Sequence, residues 1–278
     1  MRVSVSGYYL WLSGGSYLKR EWDACLVEKV KQIYWYNRRR YGTRRIAAEL
    51  RAEGLTAGRA KVRRIMREHD LTAIQPRRFV PRTTLSDNRR ASENLLAGPT
   101  PSEPHSVLVG DITYLPLIGG KFCYLASWQD RVSKKVAGWK VSDRMTDELV
   151  IDALDKALTR GLVKPGAIIH SDRGSQYSSG RFRKLLADKH LRQSMSARGN
   201  CYDNAQAESL WARLKIELLE GGTFPDIETA RRETFSYIEG YYNRTRRHSS
   251  LGYLSPDEFE SQIEKKKMKT SANLIENQ

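Results

Sequence analysis

The sequence predicts an α/β chain in which a small, basic, all-helical region precedes a mixed sheet with helices on its faces. Three observations carry that prediction. Between about 21 and 74, apolar residues recur at helical spacing between glycine stops. From 105 onward, short strand-like runs give way to strand–helix units. Between the two lies a stretch marked by Pro76, Pro81, Pro99, Pro101 and Pro104, read as a linker over 76–104. At 278 residues, with 40% apolar and 29% charged, the chain has material for about two domains with real cores.

Several function classes fall away at once. No apolar run approaches the ~18–20 residues that span a bilayer, and mean hydropathy is −0.61. The opening MRVSVSGYYLWLSGG lacks the long apolar stretch of a secretory signal, so a cytoplasmic protein with no membrane partner is expected. Cys25, Cys123 and Cys201 are too few and too far apart for a disulfide framework or a CxxC-type zinc site. The net charge of +16 is concentrated at one end, with 18 Lys/Arg against 7 Asp/Glu over residues 1–80. That is the footprint of a polyanion binder, although a merely well-solvated surface is also basic.

The elements follow in order. EWDACLVEKVKQIYWYNRRR reads as a helix running to a stop at Gly42. Thr43 is placed to cap the next helix, with Ile46, Ala47 and Leu50 inward and Gly54 as its stop. GRAKVRRIMREHDL turns Val62, Ile65, Met66 and Leu71 inward and leaves Arg59, Lys61, Arg63, Arg64 and Arg67 outward. Two short helices, the second strongly basic, have the pattern of a helix-turn-helix DNA reader; any small bundle with a basic face shares it. A short helix is expected around Arg90–Leu96.

Next come a strand in SVLVGDITYLPL, a turn at Ile118-Gly119-Gly120, a strand in KFCYLASWQD and a third in KKVAGWKVS. Thr146 is placed to cap a helix striped with Leu149, Val150, Ala153, Leu154, Ala157 and Leu158. Pro165-Gly166 breaks into the buried strand AIIHSD, followed by a helix near Arg181–Lys189, a fifth strand in LRQSMS and a long helix from about Asn204 to Glu220. Its buried stripe is Leu210, Trp211, Leu214 and Leu218, with Asp203 and Gln206 read as a capping box. The order βββαβαβα is that of a ribonuclease-H-like fold with a five-stranded mixed sheet. The expected organisation is a helical DNA-binding region over 1–75, the linker, a core over 105–220, a helical extension over 221–262 and a flexible tail over 263–278, frayed at Lys265–Lys269.

Three carboxylates sit where carboxylates are costly or exposed to a ligand edge. Asp111 interrupts an apolar strand, Asp172 follows the end of a second, and Glu208 lies in the first turns of the long helix. Singly, each has an ordinary explanation as a satisfied core group, a turn former or a surface charge. Together they change meaning, because the inferred topology sets the first strand beside the fourth and packs the helix across that edge. Three hard oxygen ligands at one point suit Mg²⁺ or Mn²⁺, and two such ions serve in-line phosphoryl transfer.

The surrounding motifs carry a resemblance. GDITY at 110–114, HSDRGSQYSS at 170–179 and SMSARGNCYDNAQAESLWARLKIE at 194–217 resemble the catalytic core of DDE transposases, most closely the IS-three insertion-sequence family (orfB type), related to retroviral integrases. Thirty-five residues separate Asp172 from Glu208, matching the family's D-D-35-E signature. YYNRTRRHSSLGYLSPDEFE and YGTRRIAAEL with KVRRIMREHDLTA resemble its C-terminal segment and its helix-turn-helix. The resemblance implies that Asp111, Asp172 and Glu208 are the metal-binding catalytic triad. The implied reaction is nicking at element ends, then attack of the freed 3′-hydroxyl on a phosphodiester. The implied partners are double-stranded DNA (terminal inverted repeats and target) and further copies of the chain. Leu108 stands where relatives usually have tryptophan, and VSVSGYYLWL resembles an interior stretch. The chain is therefore expected to start inside the usual frame, with an upstream-frame product joined by frameshifting as a further partner. A non-catalytic DNA-binding regulator and an RNase-H-like nuclease are the alternatives.

Further DNA contacts are read at Arg59, Lys61, Arg63, Arg64, Arg173, Asn204, Lys215, Arg244 and Arg247, each weighed against a structural or solvated role. His170 is read as a structural histidine ahead of a proton relay. Tyr242 and Asn243 are read either as a DNA surface with His248 or as locks on the core.

Overall fold

The computed structural model describes residues 4–13, 24–74, 92–196 and 205–276; the side chains of 10, 205, 207, 208 and 272–276 lie outside that description. The chain divides into two compact units, Met1–Ile74 and Gln75–Gln278.

The first unit is helical: α1 (Val5–Leu12), α2 (Ala24–Tyr36), α3 (Thr43–Ala52) and α4 (Arg59–Glu68). Val30, Ile33, Ile46, Leu50, Val62 and Ile65 come together from α2, α3 and α4 as its core, with Tyr41 fully buried between α2 and α3 in sequence. Two expectations are corrected. α2 ends at Tyr36, ahead of Gly42, because Arg38 and Arg39 turn the backbone left-handed (φ 49° and 63°). Thr43 is the first helical residue, with Gly42 in the cap position and no side-chain cap bond. Gly54 closes α3 at φ +79° as expected.

The second unit is built on β1 (Val107–Pro116), β2 (Phe122–Asp130), β3 (Val136–Ser142), β4 (Ile168–Ser171) and β5 (Arg192–Met195). The strand order is β3-β2-β1-β4-β5, with β1–β2 and β2–β3 antiparallel and β1–β4 and β4–β5 parallel. This is the mixed five-stranded arrangement expected from sequence. Helices α5 (Asp147–Thr159) and α6 (Gly180–Asp188) cover one face, packing Leu149, Leu154, Phe182 and Leu186 onto Leu108, Trp128 and Ile169. On the other face α7 (Ala205–Leu219) and α8 (Ile227–Phe235) lay Leu210, Trp211, Leu214 and Ala230 against Leu115, Leu125 and Val141. α8 runs on into a π-helical segment, Ser236–Tyr242, and α9 spans Pro256–Glu276.

Alternation along β1 decides which face each side chain serves. Leu108 and Ile112 join the α5/α6 core, whereas Leu115 joins the α7/α8 core. Asp111 therefore belongs to the α7 face. Gly110 lies under the Trp128 ring so closely that any Cβ there would collide with it.

Three more expectations are corrected. Ser92–Leu96 is not helical; it turns at Leu95-Leu96 and lies along β5, with Ser92 Oγ donating to Gln193 Oε1 (2.9 Å) and Leu95 N to Ser194 Oγ (3.0 Å). That contact shields an edge strand, so this part of the expected linker packs on the sheet; residues 75–91 lie outside the described residues. Thr146 holds the cap position of α5 without a side-chain cap bond. Lys265–Lys269, expected to fray, is helical within α9, and Lys267 Nζ reaches Glu103 (3.1 Å). The capping box read at Asp203 and Gln206 lies partly outside the described residues; the Gln206 amide itself bonds to Gln129, Asp130 and Lys134.

Candidate active site

β1 and β4 pair from Val107↔Ile168 to Val109↔His170, and β4 ends at Ser171. The same register, carried two residues past that pairing and one past the end of β4, would align Asp111 with Asp172 on the face that α7 covers. The position explains the chemistry. Because β4 stops here, a carboxylate on β1 meets the open rim of a parallel pair instead of a closed core, and Asp111 is half-buried.

Each carboxylate is held by neutral donors. Asp111 Oδ1 accepts from Ile112 N (2.8 Å) and Oδ2 from Trp211 Nε1 (3.1 Å). Asp172 Oδ1 accepts from Gly174 N (3.0 Å), the turn bond of an Asx loop. A Cβ at Gly174 would stand 3.0 Å from that same oxygen, a tight contact that would press on the carboxylate. Burial raises the Asp172 carboxyl above the usual carboxylate range, against the opposing pull of the Gly174 N–H. Burial likewise lowers the Lys215 ammonium, against the opposing charge of Asp111. Tyr177 is pushed well up by burial, then by the charges of Asp111 and Asp172, so one buried phenol senses both carboxylates.

Trp211 decides how α7 sits. Its indole is 5% exposed and touches Asp111, fixing one face of the helix over the carboxylate pair. Position 208 lies three residues earlier and Lys215 four later, so all three share that face. The Glu208 side chain itself lies outside the described residues. Among the described residues, no group of three or more His, Cys, Asp or Glu is placed to hold a metal ion.

His170 is fully buried, with Nδ1 2.8 Å from Ser194 Oγ and Nε2 3.2 Å from Ser196 Oγ, a structural histidine. Asn243 locks the extension onto the sheet edge, its Oδ1 accepting from Val136 N (2.9 Å) and its Nδ2 donating to Val136 O (3.1 Å). Tyr242 is buried with it, so the locking role holds and a DNA surface at these two side chains does not. Arg247 Nη1 donates to Tyr253 O (2.8 Å). Arg173 Nε donates to Ser196 O (2.9 Å). Arg244 is exposed; on α4, Arg59, Arg63 and Arg64 are exposed and Lys61 is half-buried. Asn204 lies outside the described residues. Sequence reading missed the partnership of Trp211 with Asp111 and the buried Tyr177 hydroxyl that both carboxylates influence. Trp211 had a legible signal in its spacing three after Glu208.

Residues 101–201 and 189–256 match integrase core domain families, and residues 21–79 match an HTH-like domain family. The chain is 39% identical over 264 residues to the transposase InsF of insertion sequence IS3A from Escherichia coli K12, covering 94% of this chain and 91% of that one. The chain belongs to the IS3-type transposase family. It is also 38% identical to an uncharacterized 31 kDa protein of insertion element IS600 from Shigella sonnei, over 92% of this chain and 94% of that one. A chain in a structure of the simian T-cell lymphotropic virus intasome in complex with PP2A regulatory subunit B56 gamma has 16% identity and a TM-score of 0.48, covering 84% of this chain and 74% of that one, a likeness too distant to bear on the site. Family membership makes this a polynucleotidyl transferase of DNA transposition, and its HTH-like and integrase core domains make it a DNA-binding protein. Neither the regulator nor the RNase-H-like nuclease is favoured. Among the described residues no helix is long and apolar enough to cross a membrane.

Proposed function

We propose that Asp111, Asp172 and Glu208 are the catalytic triad of this transposase, and that they hold Mg²⁺ or Mn²⁺, as two ions, while the chain nicks element ends and joins the freed 3′-hydroxyl to target DNA. What supports the reading is the register of β1 and β4, which extended by two residues would align Asp111 with Asp172, together with the Trp211–Asp111 bond that holds the helix bearing position 208 to β1. The donor set fits a hard divalent cation: oxygen ligands only, with no thiolate or imidazole in the cluster. Bound there, such ions supply Lewis acidity at the attacking and leaving oxygens of the phosphodiester.

The remaining roles belong to the protein's own groups. Trp211 Nε1, a neutral donor, holds the Asp111 rotamer without cancelling its charge. The Gly174 N–H does the same for Asp172. Lys215, beside Asp111, offers a cation to a DNA phosphate near the acids. The first unit contributes Arg59, Lys61, Arg63 and Arg64 on α4 to DNA, and Arg173, Arg244, Arg247 and Asn204 are further contacts. The chain acts as a homo-oligomer on terminal inverted repeats in a bacterial nucleoid.

Purified protein, end-bearing DNA and Mg²⁺ should give strand cleavage or strand transfer. Asp111→Asn, Asp172→Asn and Glu208→Gln should each reduce the rate by orders of magnitude while leaving DNA binding in place. Undiminished activity in any of the three would remove that residue from the triad.

A further inference from the structure

Gln206 spends its side chain in a way that helix capping does not explain. From the first turn of α7, its Nε2 donates to Gln129 Oε1 (3.0 Å) and Asp130 O (3.0 Å), and its Oε1 accepts from Lys134 Nζ (2.9 Å). Gln129, only 2% exposed, donates in turn through Nε2 to Lys134 O (2.9 Å) and to the Tyr242 hydroxyl (2.8 Å). Tyr242 is buried in the π-helical segment of the C-terminal extension.

The direction of every amide in this chain is forced. A backbone carbonyl only accepts, so Lys134 O selects the Nε2 end of Gln129 and leaves Oε1 facing Gln206. Gln206 must then donate, which Asp130 O also demands, while the Lys134 ammonium can meet only its oxygen. A carboxylate at 206 would set an acceptor against two acceptors; an apolar side chain would leave Gln129 Oε1 without its donor.

We infer that this amide relay is a positioning device for the catalytic helix. A helix N-terminus has four backbone N–H groups without helical partners and frays readily. Here Gln206 anchors the first turn of α7 to the end of β2 and Trp211 anchors the second turn to Asp111, so position 208 lies between the two anchors. Gln206 and Tyr242 are therefore positioning residues, acting on Glu208 through the placement of α7. The C-terminal extension supports the geometry of the metal site as well as covering the sheet. The inference rests on the triad reading above.

The test is Mn²⁺ binding by the full-length chain, read from the electron paramagnetic resonance of free Mn²⁺, with folding checked by circular dichroism. Gln206→Met and Gln206→Glu should each weaken Mn²⁺ by about tenfold or more, the usual range for groups that orient ligands. Tyr242→Phe, which removes only the far hydroxyl, should weaken it by a smaller factor. In strand transfer the relay variants should lower kcat and leave KM for the DNA end unchanged. Wild-type Mn²⁺ affinity in folded Gln206→Met overturns the inference, and if that variant fails to fold, wild-type affinity in Tyr242→Phe does so. Asp111→Asn and Glu208→Gln separate the two levels. Loss of Mn²⁺ in both, with none in the relay variants, rejects positioning and leaves the triad standing. Wild-type binding in Glu208→Gln rejects the triad, and the inference with it.

Discussion

Glu217 and Arg246 form a buried ion pair whose removal has a calculable cost. Their side chains are 8% and 1% exposed. Arg246 Nε donates to both carboxylate oxygens (3.2 and 2.9 Å) and Nη2 to Oε1 (2.6 Å), and the Tyr237 hydroxyl adds a fourth bond (2.9 Å). Glu217→Gln keeps the shape and deletes the charge, leaving a guanidinium buried without its counter-ion. Breaking such a pair costs about 3–5 kcal/mol, whereas an exposed pair is worth ~0–1 kcal/mol. For a unit of this size each kcal/mol moves Tm by about 2–4 °C, so the expected drop is roughly 6–20 °C. Arg246 Nη1 has no partner among the described residues, so the pair is itself imperfectly satisfied. Glu217→Gln combined with Arg246→Met should then recover more than half of the loss, since it removes the stranded charge and leaves Tyr237 an acceptor. Urea unfolding followed by circular dichroism measures both variants against the wild type. A loss below about 1 kcal/mol for the single variant, or a double variant no better than it, would refute the reasoning.

Three shorter expectations follow. Burial raises the Asp172 carboxyl, so the folded state holds its proton to higher pH than the unfolded chain does, and stability falls as pH rises through that window. Metal-free Asp172→Asn should therefore melt above the wild type at neutral pH. Mn²⁺ at a hundred times its Kd should raise wild-type stability by about 2.7 kcal/mol and the variant's hardly at all, both read by scanning calorimetry. Lys215→Ala should weaken DNA binding and lower the slope of log affinity against log salt by about 1, and an unchanged slope would take Lys215 away from phosphate. Gly110→Ala forces a methyl group into the Trp128 ring and should cost about 1–3 kcal/mol, with a shifted near-ultraviolet tryptophan signal as its signature.

What was legible in the sequence was whatever depends on short-range periodicity. The five strands, their order and the apolar stripe of α7 all follow from alternation and turn residues. Hidden from it was whatever depends on a partner far along the chain. Gln206 satisfies every local rule for a capping box, yet its real partners are 77 residues away at Gln129 and 72 away at Lys134. In Arg244-Thr245-Arg246-Arg247 nothing local tells the buried guanidinium from the exposed one. The segment leading into them is π-helical, with its own residues-per-turn, and it turns Arg246 inward to Glu217.

These long-range bonds share one destination. Glu217 near the C-terminal end of α7, Gln206 at its start and Trp211 between them tie that helix to the extension, to β2 and to β1. A 15-residue helix fixed at three points along its length has little freedom to slide or roll. On the proposed triad the chemistry would need that restraint, because Asp111 belongs to the sheet while position 208 depends on how α7 docks. Sheet pairing could then align two ligands; the third would be only as well placed as the polar bonds that hold its helix.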